Sequence, residues 1–179
     1  MGRVDKFLVL PRGWMVAAGT GRWWVLRTWW DELRRADPDG LMEVVDAALA
    51  RLRTLVAAYP GEGEAAAIAV LLGWDTRRER VAGYALASGD GFAPVEMPDG
   101  TGTTPTPSTA DRDYARLYEL STRVGEGREA AEAFLLAAVA NQLRTFVAGG
   151  YAAGFAAGGP LRLAEVTERG VECREVGEA

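Results

Sequence analysis

Few residues in this chain could carry chemistry, and several of the usual ones are missing. The 179-residue sequence contains no histidine, one cysteine and one lysine. Without histidine there is no Ser-His or Cys-His dyad and no HExxH zinc site. A single cysteine, Cys173, excludes an internal disulfide and a metal site built from cysteines. We therefore expect no metal and no cofactor. The lone lysine is Lys6, whereas the other nineteen basic residues are arginines.

Three glycine-rich segments are candidates for binding loops. The segment from Gly19 to Trp24 begins like the dinucleotide motif GxGxxG, but it ends in tryptophan and does not open a βαβ unit. The loop at residues 100–104 lacks the lysine of a P-loop. Residues 148–160 contain five glycines and are compatible with either a packed turn or the wall of a substrate cleft.

Composition and charge limit the possible partners and the compartment. Hydrophobic residues make up 49% and charged residues 25% of the chain, an ordinary globular balance. The net charge of −5 provides no basic surface for nucleic acid. The arginine clusters at 34–35 and 77–80 have acidic neighbours and are interpreted as solvated faces. No apolar run reaches the length of roughly 18 residues typical of a membrane span, and the N-terminus has no signal core. We predict a cytoplasmic protein with one domain, residues 1–179, that binds neither nucleic acid nor membrane.

Hydrophobic periodicity predicts eleven elements along the chain. Helix signals include the proline-glycine stop at 60–61 and a capping box formed by Ser108 and Asp111. The predicted elements are strands at 6–10 and 14–18, helices at 20–35 and 41–59, strands at 65–74, 80–88 and 91–97, helices at 108–124 and 126–147, and strands at 161–166 and 171–176.

The order of these elements predicts an α+β fold. Helices come in pairs and strands in hairpins, so βαβ crossovers are not the building unit. Two antiparallel sheets packed face to face, each covered by a helix pair, would bury every apolar face. The sequence therefore predicts a four-layer αββα sandwich.

Four short motifs, in this order, resemble those of the proteasome-type subunits of the N-terminal-nucleophile (Ntn) hydrolases. The motifs are KFLVL at 6–10, GWMVAAG at 13–19, LLGWD at 71–75 and DGF at 90–92. That family has the αββα sandwich, and the resemblance covers nearly the whole chain. It implies a lineage of peptide and amide hydrolases that assemble into rings or stacked rings and act on peptides or proteins.

The resemblance implies roles for Lys6 and Gly19. In the family, a lysine at the position of Lys6 lies beside the nucleophile, and its positive charge lowers the proton affinity of the reacting group. A glycine at the position of Gly19 offers its backbone N–H to the oxyanion. From the residues alone, Lys6 could also be a surface lysine of a strand, and Gly19 a turn glycine that needs positive φ.

The part of the family pattern that precedes the lysine is not visible in this sequence. The family's nucleophile, usually threonine, is the first residue of its mature chain and begins two strands that come before the lysine. Here only five residues precede Lys6, and Asp5 cannot replace the family's acidic partner. The sandwich would thus be truncated at its N-terminus. Three explanations stay open: a start further upstream that makes the chain a threonine-type peptidase or amidohydrolase, a non-catalytic relative used in assembly or peptide binding, or a similar fold outside the family.

Tryptophans are concentrated near the first predicted helix. Five of the six lie between Trp14 and Trp30. Trp23, Leu26, Trp30 and Leu33 share the apolar face of the predicted helix, whereas Trp24 and Trp29 point to other sides. Exposed tryptophan is enriched at protein interfaces, so we expect Trp24 and Trp29 either to pack in the core or at its rim, or to mediate self-association.

Overall fold

The computed structural model describes residues 7–10, 12, 14–58, 67–98, 109–148 and 160–178. Its described elements have the order predicted from the sequence: two strands, two helices, three strands, two helices and two strands. They are β1 (Phe7–Val9), β2 (Met15–Thr20), α1 (Trp23–Ala36), α2 (Leu41–Ala58), β3 (Ile68–Asp75), β4 (Arg80–Ala87), β5 (Pro94–Glu96), α3 (Tyr114–Thr122), α4 (Arg128–Ala148), β6 (Pro160–Thr167) and β7 (Gly170–Glu178).

The strands form an antiparallel five-stranded sheet and a separate two-stranded sheet. The larger sheet has the order β1-β2-β3-β4-β5, and β6 pairs with β7. The fold is therefore α+β with four helices, as predicted at that level. The chain divides into two compact units, one comprising residues 1–98 with 164–173 and the other 99–163 with 174–179. No helix of the described part is long and apolar enough to cross a membrane.

One face of the five-stranded sheet is covered by α1 and α2. Residues alternate between the two faces of a strand, and in β3 every second residue, from Ala69 to Asp75, is buried. Two glycines on this face lie against leucines of the helices: Gly19 against Leu26 of α1, and Gly73 against Leu41 of α2. Among the described residues, this face and the two helices form one cluster of 22 buried apolar residues.

The opposite face of the same sheet is also apolar. Its residues in β1 to β4 are nearly all apolar, and most of them are partly exposed. They are Val9, Val16, Ala18, Ile68, Val70, Leu72, Trp74, Val81, Gly83, Ala85 and Ala87, with Thr20 at the end of β2, and Val95 of β5 lies on the same face. An antiparallel sheet with one solvated face would alternate apolar and polar residues. This sheet does not, so its second face has the composition of a surface that is covered.

The tryptophans of α1 do not divide as expected. Trp29 and Trp30 are both buried, each 2% exposed, whereas Trp24 is 53% exposed and has the guanidinium of Arg27 at 5.7 Å from its ring centroid. Trp29 thus follows the alternative of core packing, whereas the expectation that it points to another side of the helix than Trp30 is wrong. Consecutive residues on a helix are about 100° apart, and a face more than 100° wide accommodates both.

Strand β5 is shorter than predicted because the chain turns before it. A 3-10 turn at Ser88–Asp90 is followed by Gly91 and Phe92, which have φ of 60° and 62°. Positive φ is incompatible with an extended strand, and it is unusual for a bulky residue such as Phe92. The side chain of Arg53 on α2 donates a hydrogen bond of 2.7 Å to the Gly91 carbonyl oxygen. The predicted strand at 91–97 is thus reduced to Pro94–Glu96.

The second unit is organised around the pair α3 and α4. Its described apolar core is small and consists of the buried residues Leu117, Phe134 and Ala138, and the polar Asn141 of α4 is also buried. Asp111 precedes α3 and binds Arg144 of α4 through both carboxylate oxygens, at 2.8 and 2.9 Å. Because Asp111 also accepts the backbone N–H of Asp113 at 2.9 Å, it holds a turn, and α3 begins only at Tyr114. The helix start predicted at 108 was too early, and Ser108 lies outside the described residues.

Candidate functional site

The two residues singled out from the sequence fall differently in the structure. Lys6 lies outside the described residues, immediately before β1. Gly19 is the fifth residue of β2, opposite Ala69 of β3. The chain turns between Gly19 and α1 at Gly21, which has φ of 95°. Gly19 is partly exposed and is followed by the exposed Thr20 and Gly21, so its surroundings are open to solvent.

The hydrogen-bond pattern of the sheet fixes the direction of the Gly19 amide. In an antiparallel ladder, opposed pairs alternate between those that exchange hydrogen bonds and those that do not. Trp74 N–H donates to the Trp14 carbonyl oxygen at 3.1 Å, which makes that pair a bonded one. Counting along the continuous register, the pair Gly19–Ala69 is a non-bonded one. The N–H of Gly19 therefore points away from β3, toward the side of the sheet where β1 lies.

The ladder between β1 and β2 leads to the same conclusion. Leu10 N–H donates to the Met15 carbonyl oxygen at 3.2 Å, and alternation from that pair makes position 19 a bonding position on the β1 side. The last described pair of this ladder is Phe7–Ala18. Lys6 is covalently joined to Phe7 and Gly19 to Ala18, so the two candidate residues are direct neighbours of one opposed pair. The described residues provide no β1 partner for the Gly19 amide.

Glycine is needed at position 19 because of close packing. A Cβ atom there would lie 2.8 Å from the Ile68 carbonyl oxygen and 2.9 Å from Cδ1 of Leu26. The alternative of a turn glycine with positive φ is wrong, because the positive φ of this connection belongs to Gly21. Gly19 is therefore a point at which α1 approaches the backbone of β2.

Helix α1 begins close to this glycine, at Trp23. Its N-cap residue, Arg22, forms no side-chain capping bond, and its first turn contains no acidic residue. Its last turn carries Arg34 and Arg35, which complement the negative end of the helix dipole. The backbone N–H groups of the first turn and the positive end of the α1 dipole can stabilise a negative charge near the end of β2.

The motif residue Asp75 and the nearby Glu96 have structural roles at the other end of the sheet. Asp75 is 2% exposed and accepts the backbone N–H of Arg77 at 2.9 Å, which holds the β3–β4 turn. Glu96 of β5 binds Arg78 and Arg80, and the Arg78 guanidinium keeps the pKa of the Glu96 carboxyl below its usual value. The side chains of Arg78 and Arg80 are 48% and 42% exposed, in agreement with the predicted solvated face, and they connect the hairpin to the edge strand.

Other candidate groups are not brought together in the part of the chain that the structure describes. Cys173 is exposed on β7. No group of three or more cysteine, aspartate or glutamate side chains among the described residues is placed to hold a metal ion. The glycine-rich loops at 100–104 and 149–159 lie outside the described residues.

Sequence reasoning missed one residue of this region. Leu26 was assigned to the apolar face of α1 without a link to Gly19, although it is 1% exposed and contacts the place of the missing Cβ. The sequence does show that Leu26 lies in the first turn of a helix that directly follows Gly19 and Gly21.

Comparison with known proteins adds no assignment: no protein-family model and no curated protein matches this chain.

Proposed function

We propose that this chain is a proteasome-like subunit of the Ntn-hydrolase fold, from a lineage that hydrolyses peptide and amide bonds. The observation that carries the proposal is the Gly19 amide, which points away from β3 and lies one residue beyond the pair Phe7–Ala18 that adjoins Lys6. A cation and an N–H donor at such neighbouring positions match the needs of an activated nucleophile and an oxyanion.

The chemistry requires a threonine, serine or cysteine supplied at the N-terminus of a mature chain. Its hydroxyl or thiol attacks the amide carbonyl carbon, and its proton passes to the α-amino group of the same residue. Lys6 favours the deprotonated nucleophile, and the Gly19 N–H binds the oxygen that becomes negative. The C–N bond then breaks, the proton moves to the leaving amine, and water hydrolyses the acyl-enzyme.

The second apolar face of the five-stranded sheet supports the sandwich that this function presupposes. A four-layer arrangement needs two sheets and two helix pairs, and the chain has both. The face opposite α1 and α2 is apolar throughout β3 and β4, which fits a layer packed on it rather than solvent.

Aspartate substitutions test the sandwich directly. Val70 of β3 points to the second face, whereas Ala47 lies on the exposed side of α2. If a layer covers the second face, Val70→Asp lowers the free energy of unfolding by about 2 kcal/mol or more, because a carboxylate is buried. Ala47→Asp, the control at an exposed position, changes it by less than about 1 kcal/mol. Equal, small effects in urea unfolding would contradict the sandwich.

Activity is tested with the chain and the coding sequence upstream of it. We expect the mature protein to begin with threonine, serine or cysteine and to release aminomethylcoumarin from peptide substrates. Lys6→Ala should reduce kcat at least tenfold while Lys6→Arg, which keeps the charge, reduces it less. A mature N-terminus that begins with none of these three residues, together with no turnover, would refute the enzymatic proposal.

A non-catalytic assembly subunit is the second candidate, and the exposed Trp24 favours it. An indole that is 53% exposed on the outer side of α1 suits a contact between subunits. For either candidate we propose self-association into rings. Trp24→Ser should lower the mass found by light scattering, whereas Tyr118→Ser, which changes an aromatic residue that is 64% exposed, should leave it unchanged. An unchanged mass in Trp24→Ser would exclude this contact.

A further inference from the structure

The start of α1 carries an exposed surface that is both aromatic and basic. Trp24 is 53% exposed, and the guanidinium of the exposed Arg27 lies 5.7 Å from the centroid of the Trp24 ring. No acidic residue occurs in the first turn of the helix, and the first carboxylate along α1 is that of Asp31. Tryptophan and arginine are enriched among the residues that dominate the binding energy of protein interfaces. We call Trp24 and Arg27 the basic patch.

The start of α2 carries an exposed acidic surface. Glu43 and Asp46 are both exposed, and residues three apart on a helix are neighbours on one side of it. The first basic residue of α2 is Arg51, in the second half of the helix. Glu43 accepts the backbone N–H of Asp39 at 3.1 Å through one carboxylate oxygen, and its charge stays at the surface. We call Glu43 and Asp46 the acidic patch.

The two patches belong to different parts of the helix layer in one chain. The first turn of α1 packs over Gly19 and that of α2 over Gly73. Gly19 is opposite Ala69 of β3, four residues before Gly73, so the two helix starts pack about 14 Å apart along that strand. The ion pair of Arg51 with Glu32 joins the two helices, whereas no ion pair among the described residues joins the basic patch to the acidic patch. The opposite charges of the patches can therefore meet between two copies of the chain.

We propose that the basic patch of one copy binds the acidic patch of the next copy, an inference that rests on the self-association proposed above. Two basic patches repel each other, and so do two acidic ones, so the charges favour contact between unlike surfaces. Such a head-to-tail contact repeats from copy to copy and closes into a ring where the rotation allows it. The indole of Trp24 supplies apolar area, and the pairing of Arg27 with Asp46 selects the surface that it meets.

Charge reversal tests this contact on the purified chain, with the mass measured by light scattering over a range of concentrations. Arg27→Glu and Asp46→Arg should each lower the mass toward that of a monomer, because each places like charges opposite one another. The variant with both substitutions should recover the mass of the wild type. A mixture of the two single variants in equal amounts should also recover it, because each then offers the charge that the other requires.

Two reversals elsewhere are the controls. Arg116→Glu and Glu119→Arg change exposed residues of α3 in the same way and should leave the mass unchanged, and circular dichroism shows whether each variant is folded. A monomeric wild type refutes self-association and this contact with it. An assembled wild type whose mass both single reversals leave unchanged, or a double variant that stays dissociated, overturns the contact alone. Light scattering needs no turnover, so failure of the enzymatic proposal does not alter these outcomes.

Discussion

The two helix pairs of this chain are held together in different ways. Between α1 and α2 and the five-stranded sheet lies a cluster of 22 buried apolar residues, whereas the described core at α3 and α4 has three. Arginine–carboxylate contacts between distant segments occur in both units, Arg51 with Glu32 in the first and Arg144 with Asp111 and Arg174 with Glu132 in the second, so they contribute a larger share where the apolar core is small. The stabilisation that comes from apolar burial does not change with pH and changes little with salt, whereas the stabilisation from ion pairs depends on both. The first unit should therefore be robust under conditions that loosen the second.

The largest expected effect is a truncation in the first unit. Trp30→Ala removes an indole that is 2% exposed and should reduce the free energy of unfolding by about 3–5 kcal/mol. Urea unfolding followed by circular dichroism measures it. Trp24→Ala, at a site that is 53% exposed, serves as the control and should cost less than about 1 kcal/mol. Similar costs at both sites would show that the core is not where the structure places it.

A truncation in the second unit should have a smaller and more local effect. Phe134→Ala removes the largest buried side chain of the three-residue cluster and should cost about 2–3 kcal/mol, because a small core can relax into the space. Hydrogen exchange should become faster in α3 and α4 while β3 amides keep their protection. Loss of protection in β3 to the same extent would mean that the two units unfold as one.

Acid should act on the second unit through Asp111. The Arg144 guanidinium, helped by the Asp113 backbone N–H, lowers the pKa of Asp111 from 3.8 to about 2. A lowered pKa means that the unfolded chain binds the proton more tightly, so the stabilisation is complete above pH 4–5 and is lost as the pH falls toward 2. The Tm difference between wild type and Asp111→Asn should shrink over that interval.

A control carboxylate defines the background of this pH experiment. Glu119 of α3 is exposed, and Glu119→Gln measures the change in Tm produced by removing a carboxylate outside the contact with Arg144. If Asp111→Asn behaves like Glu119→Gln, the contact with Arg144 contributes nothing to stability.

The smallest effect is expected from the ion pair between Arg123 and Glu126. The pair spans 2.9 Å, but both side chains are more than half exposed. Exposed pairs three residues apart contribute little, so Glu126→Gln should change the free energy of unfolding by less than about 0.5 kcal/mol. Thermal unfolding at 0.1 M and 1 M salt measures the change, and a larger, salt-dependent loss would show that surface charge matters more here than burial implies.

Element order was predictable because it depends on local pattern. The apolar spacing of α2 gave Leu41 as its first residue and an end within one residue of Ala58. The errors arose where contacts between distant residues override local preference. The sequence pattern places Asp111 in a helix. In the structure, its hydrogen bonds to Arg144, which lies 33 residues further along the chain, hold it in a turn. Likewise, nothing local indicates that Gly91 and Phe92 adopt positive φ.

The candidate site was predictable in part. Gly19 was predicted from its motif. In the structure its neighbour Ala18 is paired with Phe7, the residue that follows Lys6. The direction of the Gly19 N–H depends on which residue pairs of β1, β2 and β3 exchange hydrogen bonds. No pattern in a single sequence shows which pairs these are. The contact with Leu26 depends on how α1 crosses the sheet, and Trp29 was misassigned for the same reason.

The bond from Arg53 to the Gly91 carbonyl oxygen joins the middle of α2 to the corner that leads into the edge strand β5. Displacement of the helix therefore has to be transmitted to that corner. Because Val95 stands three residues beyond Phe92 and is 55% exposed, a fluorophore attached there would report on the seating of α2 without disturbing the interior. This edge offers a means of following ligand binding or assembly in real time.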